Sequence, residues 1–231
     1  MFPIPFSFFQ EGSMWYVVYL VQVNGLAVGI WNNAGLDTLN IGYMGVALAE
    51  LDILIYNIEH SAEASASGVT KSKSDVDEYL FTCYKHHNKI MEFIKNIEAV
   101  CTKSILVHYV SSIVVICNSG FHLIMTPLFS GQFIILIVFF SAIMIELAMY
   151  CWIGNEIILK SLQIGDACYM SKWYEFSPRT NKILFLIMER SKRPLTISAY
   201  KFSVLSMSAY LKIIQCSYSY FTVLRRVYMK D

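Results

Sequence analysis

The chain has 231 residues, 56% of them apolar and only 15% charged, with a formal net charge of +1 and a mean hydropathy of +0.49. A soluble domain carries about 25% charged residues, so this composition argues against a disordered chain and an ordinary cytosolic enzyme, and its near-zero charge gives no pull towards nucleic acid. What remains is a membrane protein, or an unusually apolar core.

The opening segment Met1–Gln10 has no basic n-region and contains Pro3 and Pro5, so it does not read as a signal peptide. A bilayer core needs about 20 mostly apolar residues per helix, and four stretches meet that length. The first is Trp15–Leu36, interrupted by Gln22, Asn24, Asn32 and Asn33. After it, Ser61–Glu78 is rich in Ser, Ala, Lys and Asp without periodicity and reads as a loop. From Tyr79 a helical pattern resumes. Leu80, Cys83, His87, Ile90, Ile94, Ile97, Cys101 and Ile105 recur at three- and four-residue spacing and lead straight into the second span, Ile105–Met125. The predicted helix therefore begins well before the membrane. The third span, Phe133–Trp152, carries Glu146 and continues towards Leu162. Ser177-Pro178 reads as an N-cap followed by a proline at the first helical position, opening a short helix over Asn181–Arg190. Pro194 then opens the fourth span, Leu195–Leu224.

Four spans put both termini on one side. Six Lys/Arg lie in Asn57–Lys103 and seven in Ile153–Arg193, against none before Trp15 and three after Leu224. The positive-inside rule places the two long segments in the cytoplasm and both ends outside.

The fourth span carries the most information. Lys201, Ser208, Lys212, Gln215, Ser219, Thr222 and Arg226 are spaced by seven, four, three, four, three and four, a stripe on one helix face that Val223 shares. Polar groups in hydrocarbon are costly, so such a face meets protein or water. Two readings stand: a polar seam between helices, or the lining of a water-filled pore with an apolar ring at Val223 that gates by dewetting.

No phosphate-binding glycine loop or HExxH is present, and Cys83 with His86 and His87 has no second ligand pair at zinc spacing. Three of the six cysteines lie at cytoplasmic positions, so no disulfide framework is expected. No enzyme, cofactor or metal is indicated.

The C-terminal run Arg190-Ser191-Lys192-Arg193-Pro194-Leu195-Thr196-Ile197, then Lys201-Phe202, then Ser217-Tyr218-Ser219-Tyr220-Phe221-Thr222-Val223-Leu224-Arg225, resembles the signature of insect odorant receptors. Tyr150-Cys151-Trp152-Ile153-Gly154-Asn155 resembles the inner end of that family's sixth helix, and Ser161, Tyr169, Ser171, Trp173 and Tyr174 the segment after it. His86-His87 and Ile97-Glu98 resemble the approach to its fifth helix; Phe2-Pro3-Ile4-Pro5-Phe6, Gln22 and Asp37 resemble the region around its fourth. Tyr200 departs from the pattern, standing where the family usually has glycine before Lys-Phe.

The resemblance implies an all-α membrane fold in which the whole chain, 1–231, is one transmembrane domain. Its spans (about 15–36, 105–125, 133–152 and 195–224) are expected to match helices four to seven of a seven-helix receptor, and the cytoplasmic extensions its anchor. The first three helices would then be missing, and the chain is expected to be a partial or truncated copy. The resemblance further implies an odorant-gated, non-selective cation channel subunit in the plasma membrane of olfactory neurons. It would assemble as a hetero-tetramer with a co-receptor, bind small volatile hydrophobic ligands and leave its C-terminus outside. Val223 is the implied constriction, with Ser219, Thr222, Gln215 and Arg226 along the pore. Implied ligand-facing residues are Tyr16, Tyr19, Leu20, Val23 and Leu26 on the first helix and Phe133, Leu136 and Phe140 on the third. A non-signalling structural subunit is the alternative. A gustatory-type channel is a further one, against which Ser217–Leu224 argues.

Overall fold

The computed structural model describes residues 14–61, 73–127, 130–199 and 203–228. Five helices account for nearly all of them: α1 (Met14–Glu59), α2 (Lys73–Met125), α3 (Gly131–Met170), α4 (Pro178–Ser191) and α5 (Met207–Tyr228). A 3-10 turn, Trp173–Glu175, precedes α4, and a small antiparallel hairpin of β1 (Ser198–Ala199) and β2 (Ser203–Val204) precedes α5. Among the described residues, three helices, over Tyr16–Glu59, Val76–Leu123 and Gly131–Met170, are long and apolar enough to cross a membrane.

The chain divides into two compact units, 1–42 and 43–231. In the first, α1 is apolar on all sides and nearly every described side chain is exposed, Trp31 by 84%. A helix with no polar face in contact with water is suited to lipid or to other protein. Three of its polar side chains donate within the helix: Asn24 Nδ2 to the Leu20 carbonyl at 2.8 Å, Asn33 Nδ2 to Asp37 at 2.9 Å, and Thr38 Oγ1 to the Ala34 carbonyl at 2.7 Å. Such local bonds remove the cost of bare polar groups in an apolar setting.

The second unit holds the core. The later part of α1 buries Met44, Ala47, Leu51, Leu54 and Ile58 at alternating three- and four-residue spacing. On α2 all eight residues of the predicted stripe, Leu80 to Ile105, are buried. That helix is continuous from Lys73, so 73–78, expected as loop, is helical, and Val76 is buried there. The remainder of the expected loop, 62–72, lies outside the described residues. α3 buries Leu147, Tyr150, Cys151, Gly154, Ile157, Ser161 and Ile164 and runs past Leu162 to Met170. α4 buries Thr180, Leu184, Ile187 and Ser191. α2 packs on α3, α4, α5 and the hairpin, and α3 packs on α4 and α5. Polar contacts tie the end of α1 to its neighbours: Glu50 hydrogen-bonds His86 of α2 at 2.8 Å, and Asp52 forms an ion pair with Lys160 of α3 at 2.5 Å.

The fourth predicted span needs correction. Leu195–Leu224 is not one helix: residues 194–197 have no regular structure, the hairpin follows, and α5 starts only at Met207. Pro194 lacks an N–H and Ile197 is β-branched. Ser198 donates away from any helical ladder, as described below, and Leu205 N instead returns to the Ile197 carbonyl at 2.9 Å. Lys201 and Tyr200 lie outside the described residues, so the polar stripe is defined on α5 from Ser208 onward. With Lys212, Gln215 and several hydroxyls, α5 is not among the three strongly apolar helices.

One close contact fixes where α5 begins. A Cβ on Gly154 of α3 would lie 2.6 Å from both the Cβ and the carbonyl oxygen of Leu205. Only glycine lets these backbones approach so closely. Gly154→Ala is therefore expected to lower stability by about 1–3 kcal/mol, as overpacking does. Gly45→Ala, whose Cβ meets open space on α1, should be neutral or slightly stabilising, because alanine favours helix. Thermal melts of the two variants in detergent check this; equal melting temperatures would contradict the contact.

Candidate functional site

α5 has two unlike faces. Ala209, Ile213 and Ser217, four residues apart, are buried against α2 and α3. Roughly opposite on the helix, Ser208, Lys212, Gln215, Ser219 and Thr222 are exposed, and Val223 is 60% exposed at the margin of that face. At about 100° per residue these five positions fall within one broad stripe. Thr222 Oγ1 donates to the Ser219 carbonyl at 2.7 Å, which keeps its hydroxyl on the helix surface. Arg226 belongs to α5, but its side chain lies outside the described residues. The exposed face thus carries hydroxyls, an amide and one ammonium at helical spacing. It offers water or ions a row of polar groups without a buried charge.

The first turn of α5 is held by the hairpin, and the hairpin is held by α2 and α3. Glu98 of α2 accepts from the Ser198 backbone N–H at 3.2 Å and from the Ser198 hydroxyl. Thr102 Oγ1 donates to the Ser198 carbonyl at 3.4 Å. Ser161 Oγ of α3 accepts from Leu195 N at 3.0 Å and itself donates to the Ile158 carbonyl. Ser206 Oγ accepts from Ala209 N at 3.4 Å, capping α5. A second tie lies at α4. As the sequence indicates, Ser177 caps it, accepting from Thr180 N at 3.2 Å with Pro178 at the start of the helix. Asp77 of α2 accepts from both Ser177 Oγ, at 3.0 Å, and Thr180 Oγ1. Sequence reading gave Glu98, Asp77 and Ser161 no such roles. A lone carboxylate on a helix looks solvated until its partner, about a hundred residues away, is placed.

Of the residues implied as ligand-facing, Tyr16, Tyr19, Leu20, Val23 and Leu26 share one face of α1 in the 1–42 unit, and all five are exposed. Phe133, Leu136 and Phe140 share a face of α3 in the 43–231 unit and are half-buried. Phe140 also lines a cavity of about 340 Å³ among α2, α3 and α5, with Ile116, Gly120, Met144, Ile214 and Ser217. Phe133 and Leu136 are not part of that wall. Apart from Phe140 and the tail signature, its lining drew no attention in the sequence, because it comes from helices far apart in the chain. Glu146 faces His108 of α2, with Oε1 and Nε2 3.7 Å apart, and His108 lies against the Tyr150 ring at 5.2 Å.

The family described as 7tm Odorant receptor matches residues 1–218. Odorant receptor Or2 of Anopheles gambiae is 30% identical over 169 residues, covering 73% of this chain and 44% of that protein. Odorant receptor 94a of Drosophila melanogaster is 25% identical over 226 residues, 97% of this chain and 57% of that protein. The chain spans about half the length of the curated relatives it matches. In fold it is similar to the insect olfactory receptor OR5 from Machilis hrabei in complex with eugenol. The TM-score is 0.82 at 18% identity, covering 97% of this chain and 56% of that one.

The hairpin clamp makes its own prediction. Glu98→Ala leaves the buried Ser198 N–H without its acceptor, a loss of about 1–3 kcal/mol. Ser198→Ala removes only the hydroxyl donor and should cost less. Melting in detergent should rank the variants in that order, and a Ser198→Ala variant as unstable as Glu98→Ala would contradict it.

Proposed function

Since this chain belongs to the insect odorant receptor family, we propose that it acts as a subunit of an odorant-gated, non-selective cation channel, with α5 along the conducting path. The chain is a receptor protein of the membrane and not an enzyme. Its described helices are read as helices four to seven of the seven-helix receptor, with α2 and α3 extending into the cytoplasm as an anchor. The lengths support this. α2 has 53 residues and α3 has 40, whereas about 20 span a bilayer core. The surplus carries Lys85, Lys89, Lys95 and Lys103 on α2 and Lys160 on α3, consistent with a cytoplasmic location.

The observation that carries the reading is the two-faced α5. Its Ala209–Ile213–Ser217 side faces the bundle, which leaves its polar side free for a central path formed by several copies. Gln215, Ser219 and Thr222 would line the path, Val223 would form the apolar constriction, and Arg226 would stand towards the outer mouth. Ion flow then requires wetting of the Val223 ring. Odorant is proposed to meet Tyr16, Tyr19, Leu20, Val23 and Leu26 of α1 and Phe133, Leu136 and Phe140 of α3. Aromatic and apolar side chains of this kind suit volatile molecules bound by shape and dispersion. The partner is a co-receptor subunit in a hetero-tetramer, the site the plasma membrane of olfactory neurons, and the C-terminus extracellular.

Co-expression with a co-receptor in oocytes tests this. Volatile odorants should evoke cation current, and Val223→Ser should raise the resting current several-fold by easing wetting. Surface-expressed protein with no current to any odorant would overturn the channel reading. If the chain still co-purified with the co-receptor, that result would favour a non-signalling structural subunit.

A further inference from the structure

The cavity among α2, α3 and α5 has one polar anomaly. Three buried helical serines of this bundle bond back to their own helix: Ser112 Oγ donates to the His108 carbonyl at 2.8 Å, Ser119 to Val115 at 2.7 Å, and Ser161 to Ile158 at 2.8 Å. Such back-bonding is the usual way for a buried helical hydroxyl to be satisfied. Ser217 is only 7% exposed and lines the cavity, yet its Oγ is buried with no hydrogen-bond partner. A buried hydroxyl left alone costs about 1–3 kcal/mol. The rest of the wall is apolar: Ile116 and Leu123 of α2, Phe140 and Met144 of α3, and Ile214 of α5. Gly120 keeps the space open, since a Cβ there would meet only the Phe140 ring at 4.0 Å.

Water is a poor occupant, because a well-held water needs two to four polar partners. An apolar molecule with a single oxygen fits both parts of the site. Its hydrocarbon body would fill the walls and its oxygen would pair with Ser217. At about 340 Å³ the cavity falls in the range of small-molecule sites.

We propose that this α2–α3–α5 cavity is a binding site for a small apolar molecule bearing one hydroxyl or carbonyl oxygen, which hydrogen-bonds Ser217. The proposal does not depend on channel activity. It shares only Phe140 with the odorant-facing residues suggested above. The same chemistry exists in a free volatile alcohol or ketone and in the ester end of a lipid chain, and the test separates them.

The chain is reconstituted in phosphatidylcholine nanodiscs and photolabelled with a diazirine-bearing octanol, and labelled peptides are mapped by mass spectrometry. Label is expected near Cys117, Met144 and Tyr218, competed by octanol. Gly120→Leu should remove it there by filling the space while label on α1 persists. In Ser217→Ala, a smaller change, octanol should compete about two- to tenfold more weakly, the worth of one hydrogen bond, while octane competes as before. Absence of label at these positions in the unaltered chain overturns the proposal. So does a Ser217→Ala variant in which octanol keeps its full advantage over octane. Label displaced by added phosphatidylcholine but not by octanol assigns the site to lipid and overturns the free-volatile source.

Discussion

The placement of α5 depends on one backbone contact and one carboxylate. Gly154 admits the Leu205 carbonyl where any side chain would exclude it. Glu98 holds the Ser198 N–H and hydroxyl from the opposite helix. Together they grip the hairpin from α3 and α2 and set the position at which α5 departs. Ser161, accepting from Leu195 N, secures the strand entering the hairpin. If this grip moved, every position on α5 would move with it, because α5 is one continuous helix that follows its cap at Ser206.

This grip matters because α5 must serve two environments at once. Its Ala209–Ile213–Ser217 side fills the bundle, while its Ser208–Lys212–Gln215–Ser219–Thr222 side is left open. A rotation of one residue, about 100°, would bring polar groups into the apolar core and leave Ile213 outside. The small side chain of Ser217 also helps to explain the cavity: it does not fill the space behind α5, and Gly120 on the facing helix does not either. The same choice of small side chains that lets the helices approach therefore leaves room for a ligand.

Much of this was legible in the sequence where periodicity is local. The Leu80–Ile105 stripe became the buried face of α2 because every member faces the same neighbours. Ser177-Pro178 worked as a cap because capping is decided within four residues. The polar stripe of α5 was visible for the same reason. The hairpin was not, since an apolar window over 195–224 hides two strands of two residues each. Asp77 was placed in a loop and Glu98 given no structural role, because their partners lie about a hundred residues away. The cavity was hidden too: its walls come from three helices, and the feature that marks it is the missing bond of a single serine.

The most direct measurement is cysteine accessibility along α5 in the assembled complex. Single cysteines at 208, 209, 212, 213, 215, 217, 219 and 222, in a background with the native Cys216 replaced, would be exposed to a charged thiosulfonate reagent during gating. Modification should be fast at Ser208, Lys212, Gln215, Ser219 and Thr222 and slow at Ala209, Ile213 and Ser217, following the two faces of the helix. Uniform protection of all eight, or fast reaction on the Ala209–Ser217 side, would show that the polar face of α5 does not line a water-filled path.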